Sequence, residues 1–151
     1  MTKKKKGYGY KQGNFVPVNK NKYKGSWPIH YRSSWELKFM MYCDRNSKIV
    51  KWGSESVVIK YKDPSRNNTT HRYFMDFNFT IMKDGKPQTY LVEIRPHAQT
   101  RPPKRGRKSE KSFFNESMTW IRNKAKWEAA EQFCRRKGWK FLIFTEKQLL
   151  T

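Results

Sequence analysis

Residues 71–95, HRYFMDFNFTIMKDGKPQTYLVEIR, decide the fold that we predict for this chain. Two runs rich in aromatic and β-branched residues flank Asp84–Gly85, a dipeptide that favours a two-residue hairpin turn because both positions tolerate positive φ. Side chains alternate between the two faces of a strand, so Asp76 and Phe77 point to opposite faces. The sequence therefore predicts a β-hairpin around which the rest of the chain is organised.

Each strand of this hairpin carries one acidic residue among apolar neighbours, Asp76 in the first and Glu93 in the second. An ionised carboxylate is costly to bury without a cation, a hydrogen-bond network or water. If the two face each other they repel, unless a metal lies between them. The alternative is that each lies on the solvated face of a half-exposed sheet. Because Arg95 follows Glu93 by two residues, we favour a functional pair.

Composition limits the class of protein. A chain of 151 residues is long enough for one domain with a real core. It carries 34 Lys and Arg against 12 Asp and Glu, a net charge of +22, which predicts a polyanionic partner, usually nucleic acid. We see no basic amphipathic helix for a membrane surface, no spanning segment and no signal peptide. Cys43 and Cys134 are interpreted as buried free thiols of a cytosolic protein.

Basic residues concentrate in two segments. Residues 1–26 contain no acid and little periodicity, which predicts an extended arm ahead of a domain over 27–151. A second, Pro- and Gly-bearing basic loop directly follows the hairpin. Clusters of this kind neutralise DNA phosphates and make binding strongly dependent on salt. The predicted DNA-binding residues are Lys3, Lys4, Lys5, Lys6, Arg101, Lys104, Arg105, Arg107, Lys108 and Lys111.

Two helices are predicted around the β-rich centre. The first begins after Ser33, where Ser33 and Glu36 have the spacing of a capping box. Glu36 is therefore either a helix cap or a third carboxylate, and the local sequence leaves both open. The second begins at Ser112 or Asn115, and Gly138 stops it. The order of arm, α, four β, α and β predicts an α/β or α+β fold with a mixed sheet.

Four segments together resemble a known family. They are residues 31–36 (YRSSWE), 72–77 (RYFMDF), 92–96 (VEIRP) and 123–127 (NKAKW). This combination is similar to the head completion proteins of T-even-type tailed phages and, more distantly, to TnsA-type transposon endonucleases. Both belong to the PD-(D/E)xK nuclease superfamily. The resemblance covers roughly residues 31–150 and implies a restriction-endonuclease-like fold, with a mixed central sheet flanked by helices.

The resemblance also implies a site. Glu36, Asp76 and Glu93 are similar to the family's acidic metal ligands, with the carbonyl of Ile94 as a further oxygen, and such ligands suit Mg²⁺ or Mn²⁺. The family motif ends in Lys, whereas this chain has Arg95, which stays protonated and cannot act as a general base. Three alternatives follow: Arg95 suffices together with a metal-bound hydroxide, Lys124 or Lys126 supplies the amine, or the site binds DNA without cleaving it. We include Arg95 and Lys126 in the predicted catalytic site.

Three functions are compatible with these residues. The first is a metal-dependent DNA endonuclease acting during phage head maturation before tail attachment. The second is an inactive DNA-binding protein of the head–neck junction. The third, an RNA-binding basic protein, leaves the carboxylates unexplained. The resemblance implies double-stranded DNA and phage portal or neck proteins as partners, in the virion or host cytoplasm. It implies neither a membrane partner nor a small-molecule cofactor.

Overall fold

The computed structural model describes residues 12–149. They form three α-helices, α1 (Ser34–Arg45), α2 (Glu110–Lys137) and α3 (Glu146–Leu149), and short 3₁₀ turns at Lys20–Lys22, Pro64–Arg66 and His97–Thr100. The strands are β1 (Gly13–Phe15), β2 (Ile29–Tyr31), β3 (Ile49–Ser54), β4 (Val58–Asp63), β5 (Thr69–Phe74), β6 (Phe77–Lys83), β7 (Lys86–Ile94) and β8 (Lys140–Phe144).

The central sheet has four strands in the order β3-β6-β7-β8. Strands β3, β6 and β7 pair antiparallel, and β8 runs parallel to β7, so the sheet is mixed. Lys83 and Lys86 close the β6–β7 turn, in which Asp84 and Gly85 have φ of 53° and 77°. Both the predicted hairpin and the predicted α/β class with a mixed sheet and helices are confirmed.

The first half of the predicted hairpin is two strands rather than one. Strand β5 ends at Phe74 and pairs with β4 in a separate two-stranded sheet, whereas β6 begins at Phe77 in the central sheet. Between them, the Met75 amide donates to Val57 O (3.0 Å), and Asp76 O accepts from the Glu55 amide (3.1 Å). Asp76 therefore lies where the chain passes from one sheet to the other.

Strand β7 separates two hydrophobic clusters. On one face, Val92 and Ile94 pack with aromatic residues of α1, β3 and the N-terminal segment, such as Phe39, Trp52 and Phe15. On the other, Leu91 packs with β4, β5 and α2. Alternation along the strand places Glu93 on the same face as Leu91. The carboxylate thus enters the side of the sheet that α2 covers.

The N-terminal segment differs from the extended arm predicted for residues 1–26. Over residues 12–26, β1 pairs with β2, and Phe15 and Tyr23 are buried in the cluster around Trp52. Asp44 of α1 accepts the Val18 and Asn19 amides, both at 2.8 Å. Aromatic burial and these hydrogen bonds offset the cost of ordering a polar segment. Residues 1–11 lie outside the described residues.

Helix α2 begins earlier than predicted. Ser109 Oγ accepts the Ser112 amide (3.1 Å) as its N-cap, and Gly138 ends the helix in the left-handed conformation, with φ of 71°. Cys43 and Cys134 are free and buried, as expected. Among residues 12–149, no helix combines the length and apolar character that a membrane crossing requires.

Candidate active site

A cleft of about 480 Å³ lies beside Asp76, in the link between β5 and β6, and beside Glu93, near the end of β7. Its lining brings together acids and bases that are distant in sequence. These are Arg32, Glu55, Arg72, Asp76, Glu93, Arg95 and Lys126, together with the rings of Tyr73 and Phe74. Of the predicted catalytic residues, Asp76, Glu93, Arg95 and Lys126 line this cleft.

Asp76 is held at the end of the β6–β7 ladder. The last residue pair of that ladder is Phe77 with Val92, so the Ile94 amide lies beyond it and donates to Asp76 Oδ2 (2.9 Å). Burial, followed by the negative charge of Glu93, raises the pKa of Asp76 to about 7, although the Ile94 amide and the Arg95 charge oppose the rise. Asp76 is therefore an acid whose negative charge is incompletely compensated.

Glu93 is almost fully buried, with 1% of its surface exposed. The Tyr73 hydroxyl donates to Oε1 (2.7 Å), and the Trp127 indole donates to Oε2. An Arg95 guanidinium nitrogen lies 3.5 Å from Oε1. Burial, followed by the Glu93 charge, raises the pKa of Tyr73, so the phenol remains a donor. Strand β5 and helix α2 thus hold the Glu93 side chain from two sides.

Lys126 brings a second cation to the cleft from α2. Its Nζ lies 5.4 Å from the ring centroid of Tyr73 and 5.8 Å from that of Tyr61, within the range of cation–π attraction. Burial, followed by the positive charge of Arg95, lowers the pKa of Lys126. Lys124, the other candidate amine, is exposed and is not part of the cleft lining.

Glu36 caps α1. Ser33 Oγ accepts the Glu36 amide (3.1 Å), and Glu36 accepts from the Ser33 hydroxyl (3.4 Å) and the Arg32 amide (3.5 Å). Its charge contributes to the raised pKa of Asp76. However, residues 12–149 contain no group of three or more His, Cys, Asp or Glu side chains placed to hold a metal ion. Glu36 does not line the cleft that contains Asp76 and Glu93, and its role as a third ligand stays a prediction.

The predicted DNA-binding residues fall into two groups. Lys3, Lys4, Lys5 and Lys6 lie outside the described residues. The others are all exposed: Arg101, Lys104, Arg105, Arg107 and Lys108 lie in the loop before α2, and Lys111 lies in the first turn of α2. Lys108 donates to Lys104 O (2.8 Å) and pairs with Glu116 of α2 (2.6 Å), which ties the loop to the helix.

Sequence reasoning missed several residues of the cleft. The sequence alone gave no role to Tyr73 or Trp127, yet their polar atoms hold Glu93. A signal was present, since the O–H of tyrosine and the N–H of tryptophan need partners when buried. Arg32 and Glu55 form an ion pair in the cleft lining. Their sequence context did not predict this pair, because the two residues come from separate loops.

The donor chemistry of the cleft fits a hard divalent cation. The raised pKa of Asp76 reflects a carboxylate that burial and Glu93 destabilise, and a cation would relieve both effects. Carboxylate and carbonyl oxygens are the ligands that Mg²⁺ and Mn²⁺ prefer. The fit rests on Asp76 and Glu93, the two predicted ligand side chains that the structure brings to one cleft.

A mixed sheet flanked by helices, with paired carboxylates beside an arginine and a lysine, defines the class of restriction-endonuclease-like nuclease folds. Residues 46–146 match the family model described as TnsA-like endonuclease N terminal, and the chain belongs to this family. The "Head completion nuclease" of Enterobacteria phage T4 is 40% identical over 142 residues, which cover 91% of this chain and 92% of that protein. An endonuclease-like fold of this family suggests a divalent metal cofactor in general.

Proposed function

We propose that this protein is a metal-dependent DNA endonuclease that acts in phage head completion. The observation that carries the proposal is the meeting of Asp76, Glu93, Arg95 and Lys126 in one cleft, from three separate parts of the chain. Membership of the TnsA-like endonuclease family and the similarity to a phage head completion nuclease support it.

Asp76 and Glu93, with the main-chain carbonyl of Ile94, are the proposed ligands of Mg²⁺ or Mn²⁺. When bound, such a cation supplies Lewis-acid activation of water and of the scissile phosphate. The Tyr73 and Trp127 hydrogen bonds hold the Glu93 carboxylate, and the Ile94 amide holds that of Asp76. The chain thus fixes both carboxylates before the substrate arrives. Glu36 stays a predicted third ligand, a role that requires its carboxylate to leave the cap of α1.

In the family motif a single lysine follows the second acid, and we assign its charge role to Arg95 and its proton-transfer role to Lys126. Arg95 remains protonated, so its role is to bind the scissile phosphate and stabilise negative charge on it. Lys126 is a candidate for proton transfer, since burial and the Arg95 charge lower its pKa toward the range in which an amine exchanges protons. This division explains how a site with arginine at the motif position can support hydrolysis.

The basic surface beside the cleft suits duplex DNA. Between the 3₁₀ turn that follows β7 and the first turn of α2, residues 101–111 expose six basic side chains, and residues 3–6 add four more in sequence. Contacts with phosphates position a protein on DNA without reading sequence. We therefore propose double-stranded DNA as substrate, bound without sequence preference. The similarity to a head completion nuclease supports our proposal that the protein acts in the virion or host cytoplasm, with portal or neck proteins as proposed partners.

A second candidate is a DNA-binding structural protein without catalysis. The observation that favours it is the state of Glu93, whose two carboxylate oxygens already accept from Tyr73 and Trp127. Arg95 at the position of the motif lysine points the same way. Both candidates require the same basic surface, so only an assay of cleavage separates them.

The test is plasmid nicking by the purified protein with Mg²⁺, with Mn²⁺ and with chelator. Asp76→Asn and Glu93→Gln preserve shape and remove charge, and we expect each to reduce metal-dependent nicking by at least about a thousandfold, as removal of a metal's charge partner does. Glu131→Gln is the matched control, because Glu131 is an exposed acid on α2 outside the cleft.

The outcomes separate the two candidates. Nicking that requires metal and both acids supports the endonuclease. If the wild type, Asp76→Asn and Glu93→Gln bind DNA equally and none cuts with either metal, the structural role is correct and the catalytic proposal fails.

A further inference from the structure

A second cavity, of about 720 Å³, adjoins the cleft. It lies between the segment from Arg95 to Lys108 and the first half of α2. Arg95 lines both cavities, so a strand whose phosphate contacts Arg95 has the larger cavity immediately beside it. The volume is within the range of roughly 300–1,000 Å³ that ligand sites occupy. The proposed cleavage chemistry makes no use of this space.

The wall of this cavity combines an aromatic surface with an accessible amide. Trp120 of α2 is only partly buried and lines the cavity. Asn123, one helical turn further, is a polar residue with 5% of its surface exposed, and it also lines the cavity. Among residues 12–149, the fully buried side-chain atoms without a hydrogen-bond partner do not include the Asn123 amide, so this amide is accessible from the cavity. It is therefore available to a ligand with donors and acceptors of its own.

The charge at the rim identifies the kind of ligand. Arg101, Lys104 and Lys108 line the cavity beside Arg95, and Glu116, an acid in the same lining, is paired with Lys108 at 2.6 Å. The lining is therefore net positive. A nucleotide has the three matching parts, namely a planar ring for Trp120, polar ring edges for Asn123 and phosphates for the rim cations.

We propose that this cavity binds one unpaired nucleobase of the DNA substrate, next to the phosphate in the cleft. The inference rests on the proposed function and deepens it, since it makes DNA with an unpaired nucleotide the preferred substrate. A base in an intact duplex is stacked and paired and cannot enter a cavity, whereas an unpaired base enters at little cost.

The cavity is connected to the acid that the cleft depends on. The Trp120 and Trp127 rings pack edge to face with centroids 5.9 Å apart, and the Trp127 indole donates to Glu93. A base that stacks on Trp120 therefore supports the ring that holds Glu93. Trp120 is a positioning residue in this arrangement as well as a binding surface.

The experiment measures binding of the full-length protein, in chelator, to three labelled DNA duplexes. The first is fully paired, the second has one bulged nucleotide and the third has an abasic bulge at the same place. We expect the bulged duplex to bind roughly tenfold more tightly than the paired one, from one stacked base. The abasic bulge should bind like the paired duplex, because it bends the DNA without offering a base.

Variants test the cavity itself. Trp120→Ala and Asn123→Leu should each remove most of the preference for the bulge while leaving affinity for the paired duplex within about twofold, and Trp120→Phe should retain part of the preference. Phe114→Ala is the matched control, because Phe114 is an exposed aromatic on α2 that does not line the cavity. Circular dichroism confirms that each variant is folded.

The failure of this inference differs from that of the proposed function. Equal affinity for all three duplexes, or a bulge preference that Trp120→Phe, Trp120→Ala and Asn123→Leu all retain, would overturn the nucleobase site and leave the endonuclease proposal intact. If the protein binds none of the three duplexes, both the nucleobase site and the endonuclease proposal fail.

Discussion

Asp63 and Asp76 are both aspartates at the end of a strand, and their surroundings shift their pKa values in opposite directions. Asp63 ends β4 with its side chain 0% exposed, and its environment lowers its pKa. Asp76 follows β5 at the floor of the cleft, and its environment raises its pKa to about 7. The difference shows that the groups around a carboxylate decide whether its pKa falls or rises when the protein folds.

The Asp63 region satisfies its charge completely. Ser65 donates to Oδ1 through its amide (2.8 Å) and hydroxyl (2.5 Å), while the Nε atoms of Arg66 and Arg122 each lie 2.9 Å from Oδ2. Burial alone would raise the pKa of Asp63, but these hydrogen bonds and the Arg122 charge outweigh it. Because Arg122 comes from α2, the ion pair fastens the small β4–β5 sheet to that helix.

The Asp76 region leaves its charge poorly compensated. The Ile94 amide and the Arg95 charge favour ionisation, but burial and the neighbouring Glu93 charge prevail. A cation nearby would stabilise the ionised form of Asp76, whereas Arg66 and Arg122 already stabilise that of Asp63. Carboxylates with opposing environments are a recurring mark of functional sites.

The largest expected effect is on stability in the Asp63 region. Asp63→Ala should lower the free energy of unfolding by about 3 kcal/mol, the lower end for a broken buried ion pair, because the partly exposed guanidinium groups can reach water. Urea denaturation measures the change. Glu131→Ala, which removes an exposed pair with Arg135, should cost less than about 0.5 kcal/mol. Equal losses in the two variants would contradict the contrast.

The second prediction concerns pH in the Asp76 region. Folding raises the pKa of Asp76 from its ordinary value of 3.8 to about 7, so its stabilising contribution is full below pH 3.8 and is lost as pH rises through 7. In chelator, the wild type should therefore lose about 2 kcal/mol relative to Asp76→Asn between about pH 5.5 and 8, from about 1.36 kcal/mol for each unit of pH below the folded pKa. Urea titrations across this range give the difference curve, and a flat curve would contradict the prediction.

The third prediction exchanges one arginine in each region. Arg95→Lys should keep metal-dependent nicking within about tenfold of the wild type or raise it, since lysine restores the family residue and keeps the charge. Arg122→Lys should instead cost about 1 kcal/mol of stability, because an ammonium cannot reproduce the fork to Asp63 and Ser65. Nicking and urea denaturation are measured on both variants. A large loss of stability in Arg95→Lys would show that Arg95 is an anchor like Arg122.

The smallest expected effect is at Glu36. Glu36→Ala should cost about 1 kcal/mol by removing one side of the capping box, whereas Glu36→Gln can keep it and should change stability by less than about 0.5 kcal/mol. Thermal unfolding measures both. Nicking by Glu36→Gln should stay within about tenfold of the wild type if the cap is its main role. A loss as large as that of Asp76→Asn would show that Glu36 reaches the metal.

Local sequence determined the parts of this protein that depend on near neighbours. Asp84–Gly85 closes the hairpin because the turn needs positive φ at both positions. Ser33 caps the start of α1 and Gly138 caps the end of α2, each through contacts within a few residues. The alternation around Glu93 was also readable, as was the choice of Asp76 and Glu93 as the central acids. Each of these features has its cause within one turn or strand.

Tertiary structure decided what depends on distant partners. Asp63 and Asp76 look alike in sequence, and they differ because Arg122, 59 residues after Asp63, reaches one of them, whereas Glu93 faces the other. Trp127 meets Glu93 across 34 residues, and Phe15 and Tyr23 find a core around Trp52 that the polar composition of their segment concealed. Burial and Coulomb energy depend on position in space, so a short sequence window can specify a carboxylate but not its charge environment.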